Sequence, residues 1–236
     1  MNSLALPADY RRIKQVHSFD ELVTTRFADG VNALCWARAL PGDFGEVVER
    51  LATGPGITHV EDDRLRALPV SAEGRVALGV LRDDLRMLRE QGLDPVLDCV
   101  NGYVGHEQSG PVRTDVCSFH ADSATDEADT YLCTYHGLPS EGLPNEDAVR
   151  RVDIPETRAE LLRLFGGEDD EGFREYLNEH FYDLHYAPGP GARVFSFGMG
   201  NLWRIAIDYP GSPVPPCVHR APSPLETDPP RLLLIS

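Results

Sequence analysis

Three residues hold the chemical interest of this chain. His120 and Asp122 form the H-x-D of SFHAD, and His219 follows in CVHRAPSP. Two neutral imidazoles and one carboxylate can occupy one face of an octahedral Fe(II) ion, leaving three positions for a bidentate co-substrate and dioxygen. The spacing suits that use, because alternate residues of a strand point to one side and a strand end can turn both onto one ion. His219 must then arrive from a facing strand. Arg231, twelve residues beyond His219, opens the last apolar segment. A dicarboxylate chelated at one end needs a cation at the other, and guanidinium grips carboxylate through two hydrogen bonds.

The H-x-D alone is weak. Eight histidines and 38 acids in 236 residues produce roughly one H-x-[DE] by chance. A second instance, His59-x-Glu61 in ITHVEDD, lies in a polar, helix-like segment without a partner histidine and reads as a chance match. His120 differs by position: it ends an apolar segment, precedes another (TYLCTYHG), and has a histidine and an arginine in the closing segments. Within TYLCTYHG, Tyr131 and Thr134 are candidates for the co-substrate and Tyr135 for the substrate, with strand packing as the competing role. Trp36, Arg38, Asn145, Arg204 and Arg220 are further candidates for a substrate pocket. Aromatic–arginine stacking, turn or cap chemistry at Asn145 and Glu146, and neutralisation of nearby acids are their ordinary alternatives. His180 and His185 fall in an acidic helical segment where a second metal is disfavoured, and Cys217 is expected only to pack.

The elements that must position these groups read as follows. VNALCWARAL (31–40) is strand-like, and DFGEVVERLA after it has helical spacing with Asp43 as N-cap. Leu78, Leu81, Leu85 and Leu88 mark one face of a helix over 73–91 that Gly92 ends. PVLDCVNGYV predicts a strand running into a turn at Asn101-Gly102. From residue 112 onward, VRTDVCSFHAD, TYLCTYHG, ARVFSFGMG, LWRIAIDY and RLLLIS predict short strands between Gly/Pro turns. Two acidic helices interrupt them. The expected fold is a single domain over 1–236, mostly β with helical additions. Residues 1–110 would form an α/β elaboration, and 111–236 a jelly-roll core with a helical lid at about 155–186.

Composition narrows the partners. At 26.1 kDa and 42% hydrophobic, the chain suits one core. No apolar run approaches the roughly 20 residues of a membrane helix, so no membrane partner is expected. The net charge of −16 (22 cations, 38 acids) repels phosphate backbones and argues against nucleic acid. Residues 140–186 hold 13 of the acids against five arginines, whereas 190–236 hold four arginines and three acids. The C-terminal half can thus receive a dicarboxylate. Lys14 is the only lysine, which disfavours lysine-based mechanisms, and neither G-x-S-x-G nor a Cys–His arrangement suggests a nucleophilic hydrolase. Five widely spaced cysteines and the absence of a signal-like start predict a reduced, cytoplasmic setting. Oligomeric state stays open.

His-x-Asp, a distal His and a following Arg together resemble the Fe(II)/2-oxoglutarate-dependent oxygenases of the double-stranded β-helix, or jelly-roll, class. More closely, CWARALP, FHAD, TYHG, LPSEGLPNEDAVRR and VHRAPSP…RLLLIS resemble a bacterial family catalogued as a domain of unknown function. The resemblance implies iron ligation by His120, Asp122 and His219 and anchoring of 2-oxoglutarate by Arg231. It further implies that dioxygen and 2-oxoglutarate drive oxidation of an unactivated C–H bond in a small substrate, such as an amino acid or amine-bearing metabolite. Two alternatives remain beside it: a cupin-like metalloenzyme that does not use 2-oxoglutarate, and a non-catalytic β-sandwich binding protein.

Overall fold

The computed structural model describes residues 10–52, 54–102, 110–223 and 228–236. Its centre is a seven-stranded sheet. In spatial order the strands are β1 (Ile13–Val16), β2 (Ala33–Trp36), β10 (Leu202–Ala206), β5 (Asp129–His136), β12 (Arg231–Ile235), β4 (Val96–Asn101) and β3 (Gly56–His59). Only β1 and β2 run parallel. A smaller sheet orders β11 (His219–Arg220), β6 (Glu141–Gly142) and β9 (Phe195–Ser196), and β7 (Ala148–Arg150) pairs with β8 (Tyr186–Pro188).

Helices cover one face of the large sheet. α1 (Phe19–Thr24), α2 (Phe44–Leu51), α3 (Asp62–Ala67) and α4 (Ala72–Glu90) all precede β4 in the chain. Asp43 caps α2 by accepting from the Glu46 amide, and Ser71 caps α4 by accepting from the Gly74 amide. Leu78, Leu81, Leu85 and Leu88 form the buried stripe of α4, as the spacing predicts. They meet Leu34, Tyr131, Tyr135, Leu202, Leu232 and Leu234 of the sheet. Such burial makes a leucine-to-alanine change here cost about 2–5 kcal/mol. On the other face Ala33, Cys35, Leu132, Trp203 and Ile205 meet Phe195, Phe197 and Cys217 from the small sheet and its flanks. With both faces covered, the central strands are apolar almost throughout, and their sequence alternation does not reveal which side is which.

The fold is therefore mixed α/β rather than mostly β. Two predicted strands shrink. In VRTDVCSFHAD the Asp115 carboxylate accepts from the amides of Cys117 and Ser118 (2.9 and 3.0 Å), a local turn that displaces the ladder. Only His120 pairs there, through isolated bridges to His219 and His185. In ARVFSFGMG, Gly198 and Gly200 sit at φ of +71° and +76° and end the strand after Ser196. Strands from residues 1–110 extend the same sheet as those from 111–236, on both edges. His59 lies on β3 rather than in a helix-like segment, and Tyr103 and Val104 of PVLDCVNGYV fall outside the described residues.

The acidic segment does form two helices, α5 (Pro155–Phe165) and α6 (Glu171–Glu179). They build their own core from Leu161, Phe173 and Leu177 with Val112 and Val152. Among the described residues no helix is long and apolar enough to cross a membrane.

Candidate metal centre

His120 and His219 are cross-strand partners. Each donates its amide to the other's carbonyl at 2.9 Å, which sets their rings 4.6 Å apart between centroids. Asp122 lies two residues on, its chain held by the Asp208 amide donating to its carbonyl at 2.8 Å. The His120 Nε2 stands 3.6 Å from Asp122 Oδ1 and the His219 Nε2 3.8 Å from Asp122 Oδ2. These separations are too long for hydrogen bonds but suit ligands sharing one ion. One atom from each residue falls within 4.8 Å of the others, and this is the one such group of three among the described residues.

Second partners orient all three. The Nδ1 of His120 lies 2.7 Å from the Ser118 carbonyl and that of His219 3.3 Å from the Cys217 carbonyl. A carbonyl only accepts, so Nδ1 carries the proton and Nε2 presents its lone pair to the centre. Thr130 Oγ1 donates to Asp122 Oδ2 at 2.6 Å. Burial, then the neighbouring His219, pushes His120 down to about 4, so its ring is neutral near pH 7. Burial pushes Asp122 up, but His219, the Thr130 hydroxyl and His120 together outweigh it and hold the carboxyl below its ordinary 3.8. A neutral His120 and an ionised carboxylate meet a divalent cation without first losing protons. Among the described residues three side chains converge, fewer than the four of a closed structural zinc site.

Gly142 lies beside this centre on β6, between β11 and β9. It pairs with His219, and a Cβ on it would lie 2.2 Å from the buried Phe195 ring. Glycine leaves the space that this ring occupies.

Arg231 shares a cavity with the three ligands. The cavity, about 210 Å³, is lined by His120, Asp122, His219 and Arg231 with Leu132, Leu233 and Ser140. Arg231 is 4% exposed; its Nε donates to the Leu138 carbonyl at 2.7 Å and its Nη2 to Ser140 Oγ at 3.1 Å. Thr134 stands opposite Leu233 in the register and is 2% exposed, and its hydroxyl has no hydrogen-bond partner among the described residues. A buried hydroxyl without a partner costs about 1–3 kcal/mol unless something fills that role.

The remaining candidates are not brought to the centre. Tyr131 and Tyr135 point to the helix face: Tyr135 stacks on Phe44 at 5.6 Å and donates to Asp84 of α4 at 2.6 Å. Arg38 grips both oxygens of Asp84 (2.7 and 2.8 Å), and its guanidinium lies 4.7 Å from the Trp36 ring centroid. Arg204 pairs with Asp129 and donates to the carbonyls of Leu22, Val23 and Thr25, capping the end of α1. Arg220 pairs with Glu141 over the Phe119 ring. Asn145 ties Tyr10, Asn32 and the Pro216 carbonyl together, and Glu146 pairs with Arg12. His180 stays on the exposed end of α6. Cys217 packs in the site-face core, as expected.

Three groups at the centre escape a reading from sequence. His185 is 5% exposed, and its ring centroid lies 5.8 Å from that of His120. Burial leads the lowering of its pKa, so it too is neutral near pH 7. Ser140 carries no signal in its neighbourhood. Asp98 lines the Arg231 cavity and accepts from exposed His59 Nδ1 at 2.5 Å; its one signal is a lone charge inside the apolar run PVLDCV. Comparison with family models, curated proteins and solved structures found no match.

Proposed function

We propose that this chain is a non-heme Fe(II)- and 2-oxoglutarate-dependent oxygenase that oxidises a C–H bond of a small molecule on a jelly-roll core. One observation carries the reading: a buried arginine lines the same cavity as an open His-Asp-His group. Strand order supports the core. The chain runs through β4, His120, β5, β6, β9, β10, β11 and β12, giving the order β4-β12-β5-β10 within the seven-stranded sheet and, through the isolated bridge at His120, His120-β11-β6-β9 beside it. A jelly roll orders its eight strands over two sheets in this way.

When bound, Fe(II) would supply the activation of dioxygen that couples decarboxylation of 2-oxoglutarate to succinate with insertion of one oxygen atom into C–H. The protein's part is positional. His120 and His219 would offer Nε2 and Asp122 a carboxylate oxygen, with the Thr130 hydroxyl holding Asp122 Oδ2. Arg231 and Ser140 would meet the far carboxylate of the co-substrate, and the Thr134 hydroxyl, buried without a partner among the described residues, would donate to it. Leu132 and Leu233 keep water from the space between. The net charge of −16 favours an amine or amino acid over a phosphorylated substrate.

The test is optical and anaerobic. Fe(II) and 2-oxoglutarate added together should give the weak visible charge-transfer band of the chelate, and Arg231→Ala should weaken 2-oxoglutarate binding at least about tenfold while iron still binds. Unchanged 2-oxoglutarate affinity in that variant would leave a metalloenzyme that uses no such co-substrate. Failure of iron to bind stoichiometrically would remove the metal reading altogether.

A further inference from the structure

We infer that the molecule to be oxidised occupies a second cavity, under the turn Phe181–His185, with a hydrogen-bond-donating head on His185 Nε2 and an apolar body against Phe181 and Leu184. This rests on the oxygenase reading for what happens to the molecule, but not for where it binds. The cavity, about 240 Å³, is lined by His120, Asp122, Phe181, Leu184 and His185 but not by Arg231. It shares with the Arg231 cavity only His120, Asp122 and Val116, so two of the three grouped residues border both spaces. The His120 ring stands between those of His219 (4.6 Å) and His185 (5.8 Å).

His185 is built for one role there. Its Nδ1 lies 2.7 Å from the Phe181 carbonyl, so Nδ1 donates there and Nε2 is left as the ring's acceptor on a residue that lines the cavity. That nitrogen retains solvent access and has no hydrogen-bond partner among the described residues, on a residue that is 5% exposed as a whole. Phe181 explains how the turn is held. It sits at φ +56°, a left-handed conformation that is strained for a bulky residue. The conformation aims its carbonyl at His185 while leaving its ring 57% exposed at the cavity lip. Strain, an exposed aromatic and an unmet acceptor coincide within five residues, at the one part of the acidic insertion that lines this cavity. A donor head can come from an amine or from a hydroxyl.

Co(II)-loaded protein provides the test, because the paramagnetic ion broadens proton signals of a molecule bound beside it. n-Butylammonium, n-butanol and butanone, which accepts but does not donate, would each be titrated. Broadening by the ammonium or the alcohol but not by butanone is expected, and the one that broadens identifies the head group. His185→Phe should weaken that binding at least tenfold. Phe181→Ala, an exposed change that folding tolerates, should weaken it about threefold and decides the matter if His185→Phe does not fold. Co(II) affinity and thermal stability should not move in Phe181→Ala. Equal broadening by butanone, no broadening at all, or affinities within twofold of the parent in the folded variants would overturn the inference. If Co(II) itself does not bind, the oxygenase reading fails alone. The same titrations on the metal-free protein, read from the His185 ring signals, then confirm or overturn the cavity.

Discussion

The two faces of the seven-stranded sheet handle buried polarity in opposite ways. Facing the helices, Arg38, Asp84 and Tyr135 satisfy one another at 2.6–2.8 Å, and Arg204 finds a carboxylate and three carbonyls. Facing the small sheet, Thr134 has no partner, His185 has one nitrogen idle, and three ligand atoms converge without touching. A closed polar network fixes a structure, whereas an incomplete one holds places for something the chain does not supply. The strands between are shared, so the contrast is set residue by residue along β5: Tyr131 and Tyr135 one way, Thr130 and Thr134 the other.

Substitutions on each face should separate stability from binding. The largest effect is expected at Asp84→Ala, which strands the buried Arg38 guanidinium and should lower unfolding free energy by about 3–5 kcal/mol in urea titration. Burial disfavours the Arg38 charge, and the hydrogen bonds that Arg38 donates to Asp84, with the nearby negative groups, outweigh that; an unchanged denaturation midpoint would contradict the closed-network account. His120→Ala should do the reverse. Co(II) affinity is expected to fall roughly 100-fold or more by titration, with little change in melting temperature. Thr134→Val exchanges an unpaired hydroxyl for a methyl group. Its stability should be unchanged or slightly raised, while 2-oxoglutarate binding weakens about tenfold by calorimetry; a destabilised variant would mean that the hydroxyl has a partner. The smallest effect concerns acid. Burial pushes the Asp115 carboxyl up, but Arg113 and the amides of Cys117 and Ser118 hold it below 3.8. Its stabilisation is therefore complete above pH 3.8 and is lost as the pH falls through the lower folded value. Asp115→Asn should flatten that acid limb in a pH series of thermal melts, and an unaltered slope would remove Asp115 from the turn that presents His120.

The approach of His120, Asp122 and His219 to one another was legible in sequence because the two histidines stand in local contexts that differ from those of the others. His120 precedes the long buried strand β5, His219 opens the segment that pairs with His120, and Arg231 opens the strand that pairs with β5. The helix over 73–91 was equally plain, since a single amphipathic face needs no tertiary information. Orientation within β5 was not legible: a strand apolar on both faces gives no sign of whether Tyr131 or Thr134 looks inward. Arg38 and Arg204 misled for a related reason, because a buried arginine on the helix face has the same sequence surroundings as one beside a ligand. His185 was lost because its approach to His120 depends on how the insertion returns to the sheet, which no local pattern records.

That return carries a consequence. Ala121 donates its amide to the Leu184 carbonyl at 3.0 Å and Tyr186 donates to the Phe119 carbonyl at 2.8 Å, while His120 and His219 exchange two bonds on the opposite edge. The peptide that bears the first ligand is thereby laced into the end of the acidic insertion as firmly as into the small sheet. Whatever clamps His120 also shortens the leash on residues 181–186, so ion occupancy should be readable as slowed amide exchange at Tyr186, on a segment that supplies no ligand to the ion.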